Sequence, residues 1–206
     1  MNHYEVNVTV DHVSPELAEK IVDELDGTSG HDHAGAPYMS AVFSGDTYLD
    51  ALRAAARWLE DNGAHCLRVH EDLVTKSDIA SRLSVTRQAV HQWVTGKRGL
   101  AGFPAASNPV SGGVWLWGDV QRWAMSKGSM RPNAPLHPLL EDIDEGNACL
   151  RERAARHRAN ADLGRVMGVR LRSWAGEPAP RSAADRPEWG HLAVRTSNAY
   201  EKDPAR

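Results

Sequence analysis

Residues 75–93 read T-K-S-D-I-A-S-R-L-S-V-T-R-Q-A-V-H-Q-W, and the architecture of the chain turns on them. Thr75, with Asp78 three residues later, makes a variant capping box with Asp where Glu or Gln is usual, so a helix starts here. Ile79 and Leu83, four residues apart, share its inward face. Ala80 beside them is small enough to let a second helix approach closely. Ser84-Val85-Thr86 forms a turn in which Val85 packs into the angle between helices and Thr86 caps the second one. That second helix buries Ala89, Val90 and Trp93, and its other face offers Arg87, Gln88, His91 and Gln92. Two short helices on one shared core, the second presenting donors and acceptors near its start, are what a reader of the DNA major groove requires. Arg pairs bidentately with guanine and Gln with adenine, each pair giving roughly 1–3 kcal/mol of discrimination. The same bihelical pattern also occurs as plain packing in proteins that never meet DNA, so the flanking sequence decides.

Lys97 and Arg98 follow the second helix, placed to meet phosphates. Residues 102–123 then read G-F-P-A-A-S-N-P-V-S-G-G-V-W-L-W-G-D-V-Q-R-W. Asn108-Pro109 and Gly112-Gly113 are turn signals, and Val114-Trp115-Leu116 returns as the second strand of a small hairpin. Asp119 is expected to cap a short helix with Val120, Trp123 and Ala124 inward. Helix, turn, helix, hairpin wing and closing helix, in this order, resemble the excisionase and AlpA-type small winged regulators of the MerR-like superfamily. Phe103-Pro104 after the second helix, the aromatic strand, the acidic helix start and the final Trp123 belong to that pattern. The resemblance spans about 55 residues, near a quarter of the chain. It implies binding of double-stranded DNA, with Thr86, Arg87, Gln88, His91 and Gln92 near bases and Lys97 and Arg98 on the backbone. Thr75 and Ser84 complete the candidate DNA-binding set, and the wing at 106–113 lies along an adjacent groove. Two departures stand out: Ser84 occupies a position where many such motifs carry glycine, and no Lys or Arg lies between residues 99 and 121. The tryptophans at 93, 115, 117 and 123 read as core in a module this small. Trp115 and Trp117 alternate with Val114 and Leu116, so one of these pairs is expected to face out. Stacking of single strands on these rings is the minor alternative.

Upstream, Tyr4, Val6, Val8 and Val10 alternate with Glu5, Asn7 and Thr9, the two-residue period of a half-buried strand. Ser14-Pro15 opens a helix carrying Leu17, Ala18, Ile21, Val22 and Leu25, closed by Asp26-Gly27. Tyr38–Phe43 reads as another strand. Asp46 is expected to cap a second helix with Leu49, Leu52, Ala55, Ala56 and Leu59 on one face. Cys66–His70 reads as a final strand with Leu67 and Val69 inward. Strand, helix, strand, helix, strand is the skeleton of a ferredoxin-like α/β sandwich. Its fourth strand can come only from residues 28–37, whose Gly, Ser and Pro content suits a loop or a very short edge strand. His31-Asp32-His33 would need a further ligand such as His3 or His12 to hold a metal, and otherwise reads as a polar solvated loop. No nucleophile–base pair and no glycine-rich phosphate loop stands out.

Past residue 131, Pro132, Pro135 and Pro138 mark a linker. Leu139–Glu145 is acidic, and Leu150–Trp174 suggests a helix broken or bent near Gly164 and Gly168. Its arginines at 151, 153, 156, 158, 165, 170 and 172 spread around the helix. They read either as a basic arm adding phosphate affinity or as a solvated, partly disordered segment. Residues 175–206 have few aliphatic side chains and are expected to be disordered.

The net charge of −3 over 206 residues conceals a strong asymmetry. Residues 1–70 carry 4 basic and 12 acidic side chains, residues 71–131 carry 8 and 4, residues 132–149 carry none and 4, and residues 150–172 carry 7 and 2. The field that a polyanion would meet is therefore local. Two distant cysteines argue against a disulfide framework. With no signal-peptide pattern and no long apolar run, a cytoplasmic, nucleoid-associated protein is expected.

The expected fold class is α+β: an acidic ferredoxin-like domain over 1–71, a winged helix-turn-helix over 72–128, and a linker with a helical or disordered arm over 129–206. The expected activity is sequence-specific binding of double-stranded DNA, as a transcriptional or mobile-element regulator, homodimeric through the N-terminal domain. No enzyme, cofactor, metal or membrane association is expected. The rival from another class is a ligand-sensing or protein-interaction adaptor with the N-terminal domain primary.

Overall fold

The computed structural model describes residues 1–32, 34–96, 102–109, 112–130 and 133–175. It is a mixed α+β protein built on a four-stranded antiparallel sheet. β1 (Asn2–Val10) turns its valines to one side, and Val6, Val8 and Val10 are buried there. α1 (Pro15–Leu25) starts where the Ser14 hydroxyl accepts the Leu17 N–H and ends on Asp26 in the left-handed region at φ 49°. Leu17 and Ile21 are buried, whereas Val22, expected inward, is 56% exposed because it lies at the edge of the apolar stripe.

The missing strand is β2 (Thr28–His31), four residues at the sheet edge. It pairs antiparallel with β3 (Pro37–Gly45), and the Asp32 carboxylate closes the connection by accepting N–H bonds from Ala34 and Ala36 at 2.9 and 2.8 Å. That ties Asp32 into a turn of its own. Among the described residues no group of three or more metal-binding side chains forms, and His33 lies outside them.

α2 (Tyr48–Asp61) corrects one expectation: Thr47, not Asp46, is its N-cap, in a full capping box with Asp50. β4 (Cys66–Val69) corrects another. Its pairing to β1 slips between Thr9 and Val10, so that Val69 faces Val8 while Cys66 faces Val10. Leu67 is the extra residue of this bulge and turns outward, 52% exposed. Strict alternation had placed it inward. The sheet order is β2-β3-β1-β4, with every neighbouring pair antiparallel.

Met1–His157 form one compact unit and Arg158–Arg206 a second. Within the first lie two hydrophobic clusters. The larger gathers the sheet, α1 and α2, and also draws in Ile143 and Leu150 from α6 (Leu140–Ala175). Burying each of those two side chains contributes roughly 1.5–3 kcal/mol. Between them, Gly146 meets α2 so closely that a Cβ would stand 2.8 Å from Leu52. Asn147 accepts the Val69 N–H at 2.9 Å and so covers the outer edge of β4. The acidic stretch before residue 146 and the arginine-rich stretch after it are therefore one helix, with no break at Gly164 or Gly168.

Residues 133–139 are also more than a linker. Leu136 bonds to β1 on both sides, donating to His3 O at 2.8 Å and accepting from Glu5 N at 2.9 Å. Gln121, 2% exposed, holds the same segment by donating to Pro135 O at 2.7 Å and accepting the His137 N–H at 2.8 Å. The expectation of disorder concerns residues that, from 176 on, lie outside those described.

Candidate nucleic-acid interface

The second cluster is built around β5 (Leu73–Val74), α3 (Lys76–Arg82), α4 (Arg87–Thr95), β6 (Trp115–Leu116) and α5 (Trp117–Ser126). α3 begins in the capping box read from the sequence. Thr75 Oγ1 donates to the Asp78 carboxylate at 2.7 Å, and the Thr75 N–H donates to the same oxygen at 2.8 Å. The two bonds hold the Asp78 carboxyl below its ordinary range. Thr75 thus works inside its own helix cap, at the start of α3.

The turn depends on Ser84. Its φ of 55° lies in the left-handed region, which favours glycine, and this is the position where the related motifs carry one. The reversal lets Val85 N–H reach Ala80 O at 2.9 Å and brings Thr86 to the start of α4, where its hydroxyl accepts the Ala89 N–H at 3.1 Å. Gly96, at φ 63°, ends α4.

Behind α4 stands an aromatic cluster. Trp93 and Trp123 lie 5.1 Å apart, Phe103 meets Trp123 edge-on at 4.8 Å, and Phe103 meets Trp115 at 6.0 Å. The Trp115 indole donates to Pro104 O at 3.1 Å, satisfying its one polar group. Contrary to the expected alternation, Trp115, Leu116 and Trp117 are all buried. β6 lies between the two clusters, with Trp115 in the smaller and Leu116 in the larger, and Trp117 already belongs to α5. β6 pairs with β5, Leu73 opposite Leu116 and Val74 opposite Trp115, while the expected hairpin closes one step earlier through a bridge between Asn108 and Val114. Asp119, expected as the cap of α5, instead sits in its first turn, because the helix starts two residues sooner at Trp117. There it faces the positive end of the helix dipole.

The outward face of α4 presents what the sequence placed there. Arg87, Gln88 and His91 are exposed and Gln92 is half-buried. None of these four side chains makes a hydrogen bond or ion pair with a described residue. Ser84, Thr86, Arg87 and Gln88 gather at the start of the helix, with His91 one turn on. The first turn of α4 holds no acidic side chain. No Asp or Glu occurs anywhere from Ile79 to Gly118. Lys97 and Arg98 lie outside the described residues, as do residues 110–111 at the tip of the wing.

Sequence reasoning missed the back of the module. Arg82 donates to both oxygens of Asp72, at 2.5 and 2.9 Å, with its guanidinium 4.8 Å from the centre of the Trp117 ring. His137 Nδ1 stands 3.5 Å from the same carboxylate, and burial keeps the imidazole pKa low. Arg82 is therefore spoken for, in contrast to Arg87. Only the absence of acids around Arg87, against Asp72 ten residues before Arg82, hinted at that difference. Among the seven C-terminal arginines, Arg153 is paired too, donating to Glu60 at the end of α2 beside His157.

No protein-family model matches the chain, and no curated protein or solved structure matches it either. No helix among the described residues is long and apolar enough to cross a membrane.

Proposed function

We propose that the chain is a sequence-specific double-stranded DNA-binding protein, a transcriptional or mobile-element regulator rather than an enzyme, in which α4 enters the major groove. One observation carries this: the outward face of α4 is exposed, unpaired and free of carboxylates, while its inward face is locked by Val90 and the tryptophan cluster. A helix whose polar side chains have no partner in their own chain is poised for an external one. Arg87 and Gln88 stand at its leading end, where base edges are read.

The strand order and the antiparallel directions support reading β1 to β4 with α1 and α2 as a ferredoxin-like sandwich. The closure between Asn108 and Val114 followed by α5 supports the winged form of the reading module. A module of this size covers only about 600–1,000 Å² of DNA, so useful affinity calls for two copies, joined through the acidic N-terminal domain. A nucleoid-associated place in the cytoplasm goes with that role.

Fluorescence anisotropy with duplex DNA selected from randomised oligonucleotides tests the proposal. Binding that weakens steeply as salt rises is expected. Arg87→Ala is expected to lose roughly 1–3 kcal/mol of specific binding while the thermal midpoint stays put. Absence of any selected sequence, or an unchanged preference in Arg87→Ala, overturns the assignment of α4 as the reading helix.

A further inference from the structure

A cavity of about 460 Å³ opens between the N-terminal sheet and α5. Tyr48 forms part of its wall, at 1% exposure, and its hydroxyl is buried without a hydrogen-bond partner. A buried tyrosine hydroxyl ordinarily finds one, and leaving it unpaired is costly. Burial, and then the nearby Asp142 carboxylate, push the Tyr48 pKa upward, so the group keeps its proton and is a standing donor in search of an acceptor.

Three further features say what kind of acceptor. Arg122 of α5 lines the cavity, is exposed, and has no ion-pair partner. The N-terminus of the 14-residue α2 opens on the same space through Thr47 and Tyr48, and that end of a helix favours negative charge. The rest of the wall is largely apolar, with Tyr4 edge-on to Tyr48 at 6.0 Å and Met125 and Leu136 beside them. Two carboxylates are also present. Asp142 is turned back to cap α6, accepting the Leu139 N–H at 2.9 Å, and Asp46 is exposed.

We propose that this cavity binds a small organic carboxylate with a short apolar body, one oxygen accepting the Tyr48 hydroxyl and the charge facing Arg122. The volume falls within the range of small-molecule sites, about 300–1,000 Å³. Its walls come from β1 and α2 on one side and α5 on the other, so an occupant would touch both the sheet and the helix that closes the α3–α4 module. The assignment goes beyond DNA binding and stands without it.

The test uses the full-length chain and ¹⁹F NMR titration with 4-fluorobenzoate, and with 4-fluorobenzamide and 4-fluorobenzylamine as neutral and cationic counterparts. Saturable binding of the benzoate is expected, with the amide weaker and the amine weakest. Tyr48→Phe and Arg122→Ala are each expected to weaken it about ten-fold. Without ligand, Tyr48→Phe is expected to melt at a slightly higher temperature, since it removes an orphaned hydroxyl and keeps the ring. No saturation with benzoate, tighter binding of the amine, undiminished binding by both variants, or a lower melting temperature for Tyr48→Phe would each overturn the proposal. None of these readouts involves DNA, so failure here and failure of α4 to read DNA are separately visible.

Discussion

The two hydrophobic clusters of the first 157 residues solve the same packing problem with different materials. The larger is aliphatic: valines of β1, leucines of α2 and the inward stripe of α1, extended by Ile143 and Leu150. The smaller rests on Trp93, Phe103, Trp115, Trp117 and Trp123, because short helices and two-residue strands offer few inward positions and each must bury much area. Their surfaces differ as well. Around the sheet, polar side chains find partners at home, as Ser40 does with Glu5, Thr9 with His70, and Arg153 with Glu60. On α4 the outward side chains find none. A surface that satisfies itself serves the fold, whereas one left unpaired serves something outside it.

The sharpest way to break this contrast is to remove a keystone of the smaller cluster. Trp123→Ala is expected to cost about 3–5 kcal/mol. Loss of the near-ultraviolet tryptophan dichroism, with the far-ultraviolet sheet signal retained, would show that the aromatic module melts by itself. A single shared transition would show instead that β6 and Gln121 weld the two clusters into one cooperative unit.

A milder change sharpens the comparison from the other side. Ser84→Gly is expected to raise the urea midpoint by the equivalent of about 1 kcal/mol, because glycine takes the left-handed conformation without the Cβ penalty. A fall would mean that the turn is not held at positive φ in solution.

The smallest effect concerns the self-satisfied surface. The Arg153 guanidinium holds the Glu60 carboxyl below the ordinary glutamate range. A depressed carboxylate stabilises the fold fully above its unfolded pKa, and that stability is lost as pH falls through the folded value. Glu60→Gln is therefore expected to cost at most about 1 kcal/mol at neutral pH and to flatten the loss of stability on acidification. An acid limb as steep as that of the unaltered chain would show the pair to be idle.

How far the sequence was legible follows from how local each feature is. The capping boxes, the apolar face of each short helix, the turn at Ser84 and the exposed side of α4 were all readable, since they depend on residues within a turn or two of one another. Leu67 was misread because a bulge is a property of two strands, and β1 sets where the slip falls. The tryptophans on either side of Leu116 were misread because a strand between two cores has no outward face. Gly146 gave no signal at all: its meaning is the approach of α2, which nothing near it in sequence announces.

By itself, then, the chain's order of residues determined the elements and the chemistry of α4, because hydrogen-bonded caps and side-chain periodicity act over a few residues. Only the tertiary structure decided that residues 133–139 clasp the sheet, that Arg82 and Arg153 are already paired while Arg87 is not, and that Tyr48 faces a cavity. Those outcomes depend on which groups leave water together, and that is settled by partners 10 to 100 positions away.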